Sequence, residues 1–285
     1  GLNERIFGPA GSVVGDNNAL GFALVLGVPL LLFLGRSARS RWAQGFCFGV
    51  VVLTVIGIVA TYSRGSLVLL AVALAAMLLL AKRMRGIAVV LVACVVGLVV
   101  VAPSHWRERM DTIRPDAYRV DSSGSERMKS WYVAWRIGLD HPLLGAGFQP
   151  FSEDVYERYI PGYRDFHNAH NHFLQAFAEH GFTGLILFVS LFVSAIARLA
   201  ATVRRARSDP ALAWADDCAR MLAVFLVTYI AGGVFLSLGY FELLYQSLIA
   251  CLLLDRVTAR PSPEEPPPDA EPLMVVFWRR LRGTA

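Results

Sequence analysis

The chain has 285 residues, 55% of them hydrophobic and only 17% charged, with a net charge of +5. A soluble domain usually carries about 25% charge and its helices keep a polar face, so the deficit excludes an ordinary soluble fold. The basic residues sit in short clusters between apolar blocks, as in cytoplasmic loops of membrane proteins, which excludes a nucleic-acid-binding face.

The apolar residues come in unbroken blocks long enough to cross a hydrocarbon layer of about 30 Å, and the mean hydropathy is +0.50. The expected fold is all-α: a polytopic transmembrane helix bundle of about seven spans, with a large, partly helical outer loop. In chain order the spans are Ala19–Leu34, Ala43–Thr61, Ser66–Ala81, Ile87–Ala102, Phe173–Leu199, Met221–Leu238 and Phe241–Leu254. The fifth is over-long, and its membrane part is expected at Gly184–Ala197. The seventh is short and carries Glu242 and Gln246. The chain therefore divides into an outer N-terminal segment with four spans (1–102), a large periplasmic loop (103–172), three further spans (173–258) and a Pro- and acid-rich cytoplasmic tail (259–285). It opens at Gly1 with no initiator Met and no signal-peptide pattern, from which we expect a fragment lacking earlier spans.

Orientation follows from the arginines. Arg36, Arg39 and Arg41; Lys82, Arg83 and Arg85; Arg198, Arg204, Arg205 and Arg207; and Arg256 and Arg260 follow the first, third, fifth and seventh spans. All four clusters face the cytoplasm if residues 1–18 start outside. Ser63–Gly65, Gly239–Tyr240 and the loop from Pro103 to about His172 then face out. After the last cluster, 261–272 (PSPEEPPPDAEP) cannot build a core. Beyond it, Val275–Leu281 with Trp278 either rests on the inner leaflet or continues a disordered tail. Cys47, Cys94 and Cys251 fall in apolar blocks and Cys218 at the edge of a basic loop, which is neither a disulfide framework nor a zinc set.

Within the loop, Ser123 and Glu126 form a capping box for a helix that Asp140-His141-Pro142 stops. Met128, Trp131, Tyr132, Trp135 and Leu139 give it one apolar stripe; the helix either lies flat at the membrane surface or packs on the bundle. Gly145-Ala146-Gly147-Phe148 is a turn-forming stretch without the Lys and Ser or Thr of a P-loop.

The densest polar cluster is Asp165-Phe166-His167-Asn168-Ala169-His170-Asn171-His172. Three histidines in six residues admit a metal site, a structural helix cap, or proton transfer near neutral pH; no H-E-x-x-H and no carboxylate at ligand spacing favour the metal. Arg64, in Thr61-Tyr62-Ser63-Arg64-Gly65-Ser66, sits on the expected outer side against the positive-inside bias. Burial there without a partner is costly, so it either snorkels to the interface or meets an anion, such as a diphosphate gripped bidentately. Arg127 opens the loop helix and has a salt bridge to Glu126 or another loop acid as its plain alternative.

Ser63-Arg64-Gly65, Arg127 to Trp131, Gly145-Ala146-Gly147-Phe148, and His170-Asn171-x-Phe173-Leu174 through Glu179-x-Gly181 appear in an order that resembles the O-antigen ligase and polymerase superfamily of bacterial envelope proteins. The opening Phe7-Gly8-Pro9 with Asp16-Asn17-Asn18-Ala19 resembles the O-glycosylation ligases associated with exosortase systems. The resemblance spans roughly 7–255, and members usually have more spans than this chain. It implies a metal-independent, cofactor-free glycosyl transfer at the periplasmic face of the bacterial inner membrane. The donor would be a glycan on a polyprenyl diphosphate, and the acceptor a hydroxyl of lipid, sugar or protein. It further implies that Arg64 and Arg127 hold the diphosphate, that His170 is the catalytic base, and that His167, Asn171 and His172 line the substrate site. His172 stands where relatives often carry a small polar residue. The alternatives are a repeat-unit polymerase of the same superfamily, a transporter with midplane ionisable residues, or a membrane scaffold.

Overall fold

The computed structural model describes residues 5–101 and 122–259. The 102–121 part of the large loop and the tail from 260 on, with Trp278, lie outside the described residues, as does the Ser123 side chain. The described residues are all-helical: α1 (Asn17–Ser37), α2 (Arg41–Ala60), α3 (Arg64–Leu80), α4 (Arg85–Val101), α5 (Ser122–Asp140), α6 (Glu153–Tyr159), α7 (His172–Ser208), α8 (Ala213–Gly232) and α9 (Glu242–Ala259).

Each expected span contains a helix, but the sixth stops at Gly232, six residues before the expected Leu238, and the fifth is broken at Gly181. Three helices, α1, α2 and α7, are long and apolar enough to cross a membrane, and a fourth is added if α3 and the helix after it count as one span bent by 117°. That bend falls at Ala81, where a short 3₁₀ turn (Lys82–Met84) carries two of the expected cytoplasmic basic residues. α8 has Asp216, Asp217 and Arg220 in its first two turns, and α9 has Asp255 and Arg256 in its last. Charge at these ends shortens the apolar stretch of both.

The starts are set by side chains that satisfy otherwise orphaned N–H groups. Asp16 accepts from the Asn18 and Ala19 amides at 2.8 and 3.1 Å. Ser63 accepts from Ser66 N at 3.1 Å, and Asn171 from Phe173 and Leu174 N at 2.9 and 3.0 Å. α8 packs on α1, α3, α7 and α9, which makes it the centre of the bundle. Phe22, Leu26, Leu70, Met77, Phe225 and Tyr229 fill the space around it at under 2% exposure. Far from the large loop, Asp217 lies 3.8 Å from both Arg36 and Arg83, and Asp255 pairs with Arg198 and Arg205. The basic clusters thus gather at one end of the bundle, the arginine end.

At the other end a smaller core forms a cap. α5 turns Val133, Ala134 and Ile137 inward against Phe151, Tyr156, Ala169 and Ala178. Its expected apolar stripe is the outer face instead, with Met128, Tyr132, Trp135 and Leu139 each 44–57% exposed. The small residues win the inner face because α5 crosses α7 closely: a Cβ on Gly138 would strike the Phe177 ring. Packing on the bundle, one of the two expectations for this helix, is what its inner face does, and its outer face carries an open aromatic stripe. α5 starts at Ser122, one residue ahead of the expected cap, and stops at Asp140 as expected.

α7 is two helices. Gly181 breaks it with φ 65° and ψ −163°, a backbone state open almost only to glycine. The first leg, 172–180, belongs to the cap, and the second, 182–208, runs down the bundle and contains the expected membrane part Gly184–Ala197.

Candidate functional site at the loop end of the bundle

The helix ends meeting under the cap bring the sequence motifs together in two groups. The first joins the N-terminal segment to the Arg64 turn. Asn17 Nδ2 donates to the Thr61 carbonyl at 2.9 Å, and the Ser63 hydroxyl donates to Asn18 Oδ1 at 2.7 Å. Arg64 is then the first residue of α3, half-buried. A cation at a helix N-terminus opposes the helix dipole, whereas an anion beside it gains from the dipole, the free N–H groups and the guanidinium together.

The second group is the histidine loop on α5. The Tyr156 hydroxyl, buried, bonds to the His167 carbonyl at 2.8 Å and to the Ser130 hydroxyl at 2.9 Å. Ser130 lies three residues after Arg127 on α5, so this bond ties the loop to the helix that carries the arginine. His167 Nε2 stands 3.6 Å from Glu126 Oε2, and its ring centroid is 6.1 Å from that of His170. His170 is half-buried, and desolvation first, then the charges of Arg127 and His167, push its imidazole below the ordinary histidine pKa; Asp16 and Glu126 pull the other way. The electrostatic surroundings of His170 thus include the N-cap of α1, which links the two groups. A neutral imidazole with a free lone pair is the form that takes up a proton.

The other predicted residues separate. Asn171 is 7% exposed, and its carboxamide oxygen is committed to capping α7. His172 is 1% exposed, inside the bundle. Its ring stacks on Tyr229 at 4.9 Å, and its backbone N–H donates to the Gly233 carbonyl at 2.9 Å. The Tyr229 backbone faces the ring, but no hydrogen bond of good geometry reaches either ring nitrogen from the described residues. Of the three clustered histidines, 167 and 170 therefore stay at the loop and 172 joins the core. Among the described residues, no three His, Cys, Asp or Glu side chains gather as metal ligands would.

In the sequence Glu179 stands out only as part of the Glu179-x-Gly181 motif, with no role attached. Glu179, fully buried, is a hub. Its carboxylate accepts from Gln175 Nε2 at 2.9 Å, Gln149 N at 3.3 Å and the Tyr240 hydroxyl. Tyr240 also meets His180 Nε2 at 2.9 Å. Burial and the Glu179 carboxylate push the Tyr240 pKa up, keeping it a donor. The Gly145-Ala146-Gly147 turn docks on the same point: Ala146 and Gly147 N–H groups donate to the Ala178 and Glu179 carbonyls at 2.9 and 3.0 Å. The signal for this hub was the Glu179-x-Gly181 pair, whose partners are 30 and 61 positions away.

The three non-glycine residues with positive φ among the described residues are Tyr62 (54°), Gln149 (51°) and His170 (48°). Each adjoins a motif of this end: the Ser63-Arg64 turn, the Gly145–Phe148 turn and the histidine loop. Such conformations cost about 1–3 kcal/mol each and persist where the surroundings over-determine them, commonly at working sites.

Residues 49–189 match the model of the O-antigen ligase family. The matched stretch runs from α2 into the second leg of α7 and includes Arg64, Arg127, the Gly145 turn, His170 and Gly181. No curated protein matches the chain.

Proposed function

The chain belongs to the O-antigen ligase superfamily, a group of membrane enzymes of the ligase and polymerase type, and from that premise we propose that it transfers a glycan from a polyprenyl-diphosphate carrier to an acceptor hydroxyl at the periplasmic face of the inner membrane. The observation that carries the reading is the surroundings of His170: an imidazole held toward its neutral form, with Arg127 within electrostatic reach.

In the proposed reaction the acceptor O–H gives its proton to a ring nitrogen of His170, and its oxygen bonds to C1 of the donor sugar. The C1–O bond breaks, and its electron pair leaves with the polyprenyl diphosphate. Negative charge grows on that leaving group, where Arg64, at the start of α3, and Arg127 meet it. Preplaced charges of this kind, in a partly dewatered site, are often the largest single catalytic contribution, and a positioned base adds roughly 10²–10⁴-fold. Arginine suits the role because it is always charged and grips phosphate oxygens in pairs. Asp16 and Glu126 steady the imidazolium formed in the step. Asn171 positions His170 by anchoring the chain to α7, and His167 borders the acceptor side. His172, in the core, supports the first leg of α7. The residues invoked require no metal.

The opening Phe7-Gly8-Pro9 and Asp16-Asn17-Asn18 favour a ligase of the exosortase-associated type over a polymerase, the second reading. The test is the glycan on the carrier in a strain lacking the gene, complemented with wild type, Arg64→Ala or His170→Ala. Accumulated long chains identify a ligase and accumulated single repeats a polymerase. No accumulation, or full rescue by both variants, sinks the proposal.

A further inference from the structure

The break at Gly181 has a second consequence. Where the two legs of α7 diverge, the α8–α9 connection closes over them and leaves a cavity of about 300 Å³, within the range of small-molecule sites. Gln175, His180 and Tyr240 form its upper end, and Gly184, Leu187 and Leu191 one side of its lower part. These last three share a face of the second leg and cover about 10 Å of helix. Leu187 is 62% and Leu191 40% exposed, so the lower part opens sideways, on the surface that a membrane-crossing α7 turns to lipid.

The upper end is built for hydroxyls. Gln175 is 8% exposed, with its Nε2 bound to Glu179, and its buried Oε1 has no hydrogen-bond partner among the described residues. An orphaned buried acceptor costs about 1–3 kcal/mol, which a donor in the cavity relieves once a small turn of the Gln175 side chain brings the oxygen to it. No Lys or Arg lines this cavity, and the full charge beneath it is the Glu179 carboxylate, linked through Tyr240. A diphosphate finds repulsion here; the cations of the site, Arg64 and Arg127, belong to the other group of motifs. We infer that this cleft binds a membrane amphiphile with a hydroxyl-bearing, non-anionic head at Gln175 and Tyr240 and its chain along Gly184–Leu191, and that it seats the acceptor of the transfer. The assignment as acceptor rests on the function proposed above; the amphiphile site does not.

The test uses the full chain in nanodiscs and an alkyl glucoside with a diazirine in its alkyl chain. Photolysis and peptide mapping are expected to place the adduct on the Gly184–Leu191 face, displaced by unlabelled alkyl glucoside and not by polyprenyl diphosphate. Leu187→Trp, at an exposed position, fills the cleft and is expected to lower labelling roughly tenfold. Ile186→Trp, next to it, 64% exposed and outside the lining, retains it. Labelling spread evenly over lipid-facing helices, or displaced by polyprenyl diphosphate alone, overturns the site. If labelling behaves as expected but His170→Ala transfers glycan at the wild-type rate, the amphiphile site stands and the acceptor assignment falls with the proposed reaction.

Discussion

Tyr156 donates its hydroxyl to the carbonyl of His167 at 2.8 Å, and the same oxygen lies 2.9 Å from Ser130 on the helix that carries Arg127. One buried phenol therefore sets the histidine loop against the arginine helix. Tyr156→Phe keeps the ring in the cap core and leaves the His167 carbonyl and Ser130 short of a partner. Thermal unfolding in detergent is expected to show a loss of about 1–3 kcal/mol. Glycan transfer should fall further than the loss of folded protein explains, because the proposed base, His170, moves relative to Arg127. Transfer that tracks folded protein alone would make Tyr156 purely structural.

The pH dependence follows from His170. Its pKa lies below the ordinary value because it is desolvated and near Arg127 and His167. Transfer should hold steady through neutral pH and decline only on the acid side of the usual histidine range, as the base becomes protonated. Arg127→Gln removes a charge that disfavours the imidazolium, so the acid limb should move to higher pH while the maximum rate also drops. A limb that stays in place in this variant would detach Arg127 from His170.

Arg64→Lys separates charge from geometry. Lysine keeps the positive charge but not the paired donors. If the residue grips a diphosphate, transfer should fall by roughly 10²-fold in Arg64→Ala, as for loss of one preplaced donor, and remain clearly impaired in Arg64→Lys. Full activity with lysine would leave only a general electrostatic role.

Gly181→Ala is expected to be among the most damaging small substitutions in the chain. The position has φ 65°, and a Cβ there would stand 2.6 Å from the carbonyl oxygens of Pro142 and Leu143. Backbone strain alone is worth about 1–3 kcal/mol, and those carbonyls are held by the Phe182 and Thr183 amides. Folded yield by size exclusion should collapse in Gly181→Ala and survive in Gly147→Ala, which bears similar backbone strain at φ 90° but whose Cβ meets nothing within 4 Å, so the difference reads the clash.

Glu179→Gln probes the hub. Gln175 Nε2 and Gln149 N share one carboxylate oxygen and Tyr240 takes the other, so the amide keeps an oxygen for two of the three donors and turns an NH₂ toward the Tyr240 hydroxyl. Loss of charge-assisted bonds in a buried site is expected to cost about 1.5–3 kcal/mol, read as a lower unfolding temperature. Wild-type stability in Glu179→Gln would show that the hub does not depend on the carboxylate.

Much of this molecule is determined by its sequence alone, wherever the cause is local. Apolar blocks place the helices because a chain in hydrocarbon has to satisfy its own backbone. Asp16, Ser63 and Asn171 cap the helices they precede, and Asp140-His141-Pro142 ends α5, through bonds and sterics within a few residues. The order of short motifs likewise pointed to the O-antigen ligase family, whose model matches residues 49–189.

Tertiary structure alone decided what depends on distant partners. His170 and His172 are two residues apart, yet one faces the charged loop and the other stacks on Tyr229, because Asn171 starts a helix between them and α8 supplies the wall. The aromatic stripe of α5 stays largely exposed because α7 packs on the neighbouring face, so closely at Gly138 that Phe177 also meets the edge of the stripe at Trp135. Glu179 is a hub only because Gln149 and Tyr240, far along the chain, arrive at the same point. Side-chain burial is a property of what packs opposite, and a one-dimensional pattern carries the period of a helix but not the identity of its neighbour.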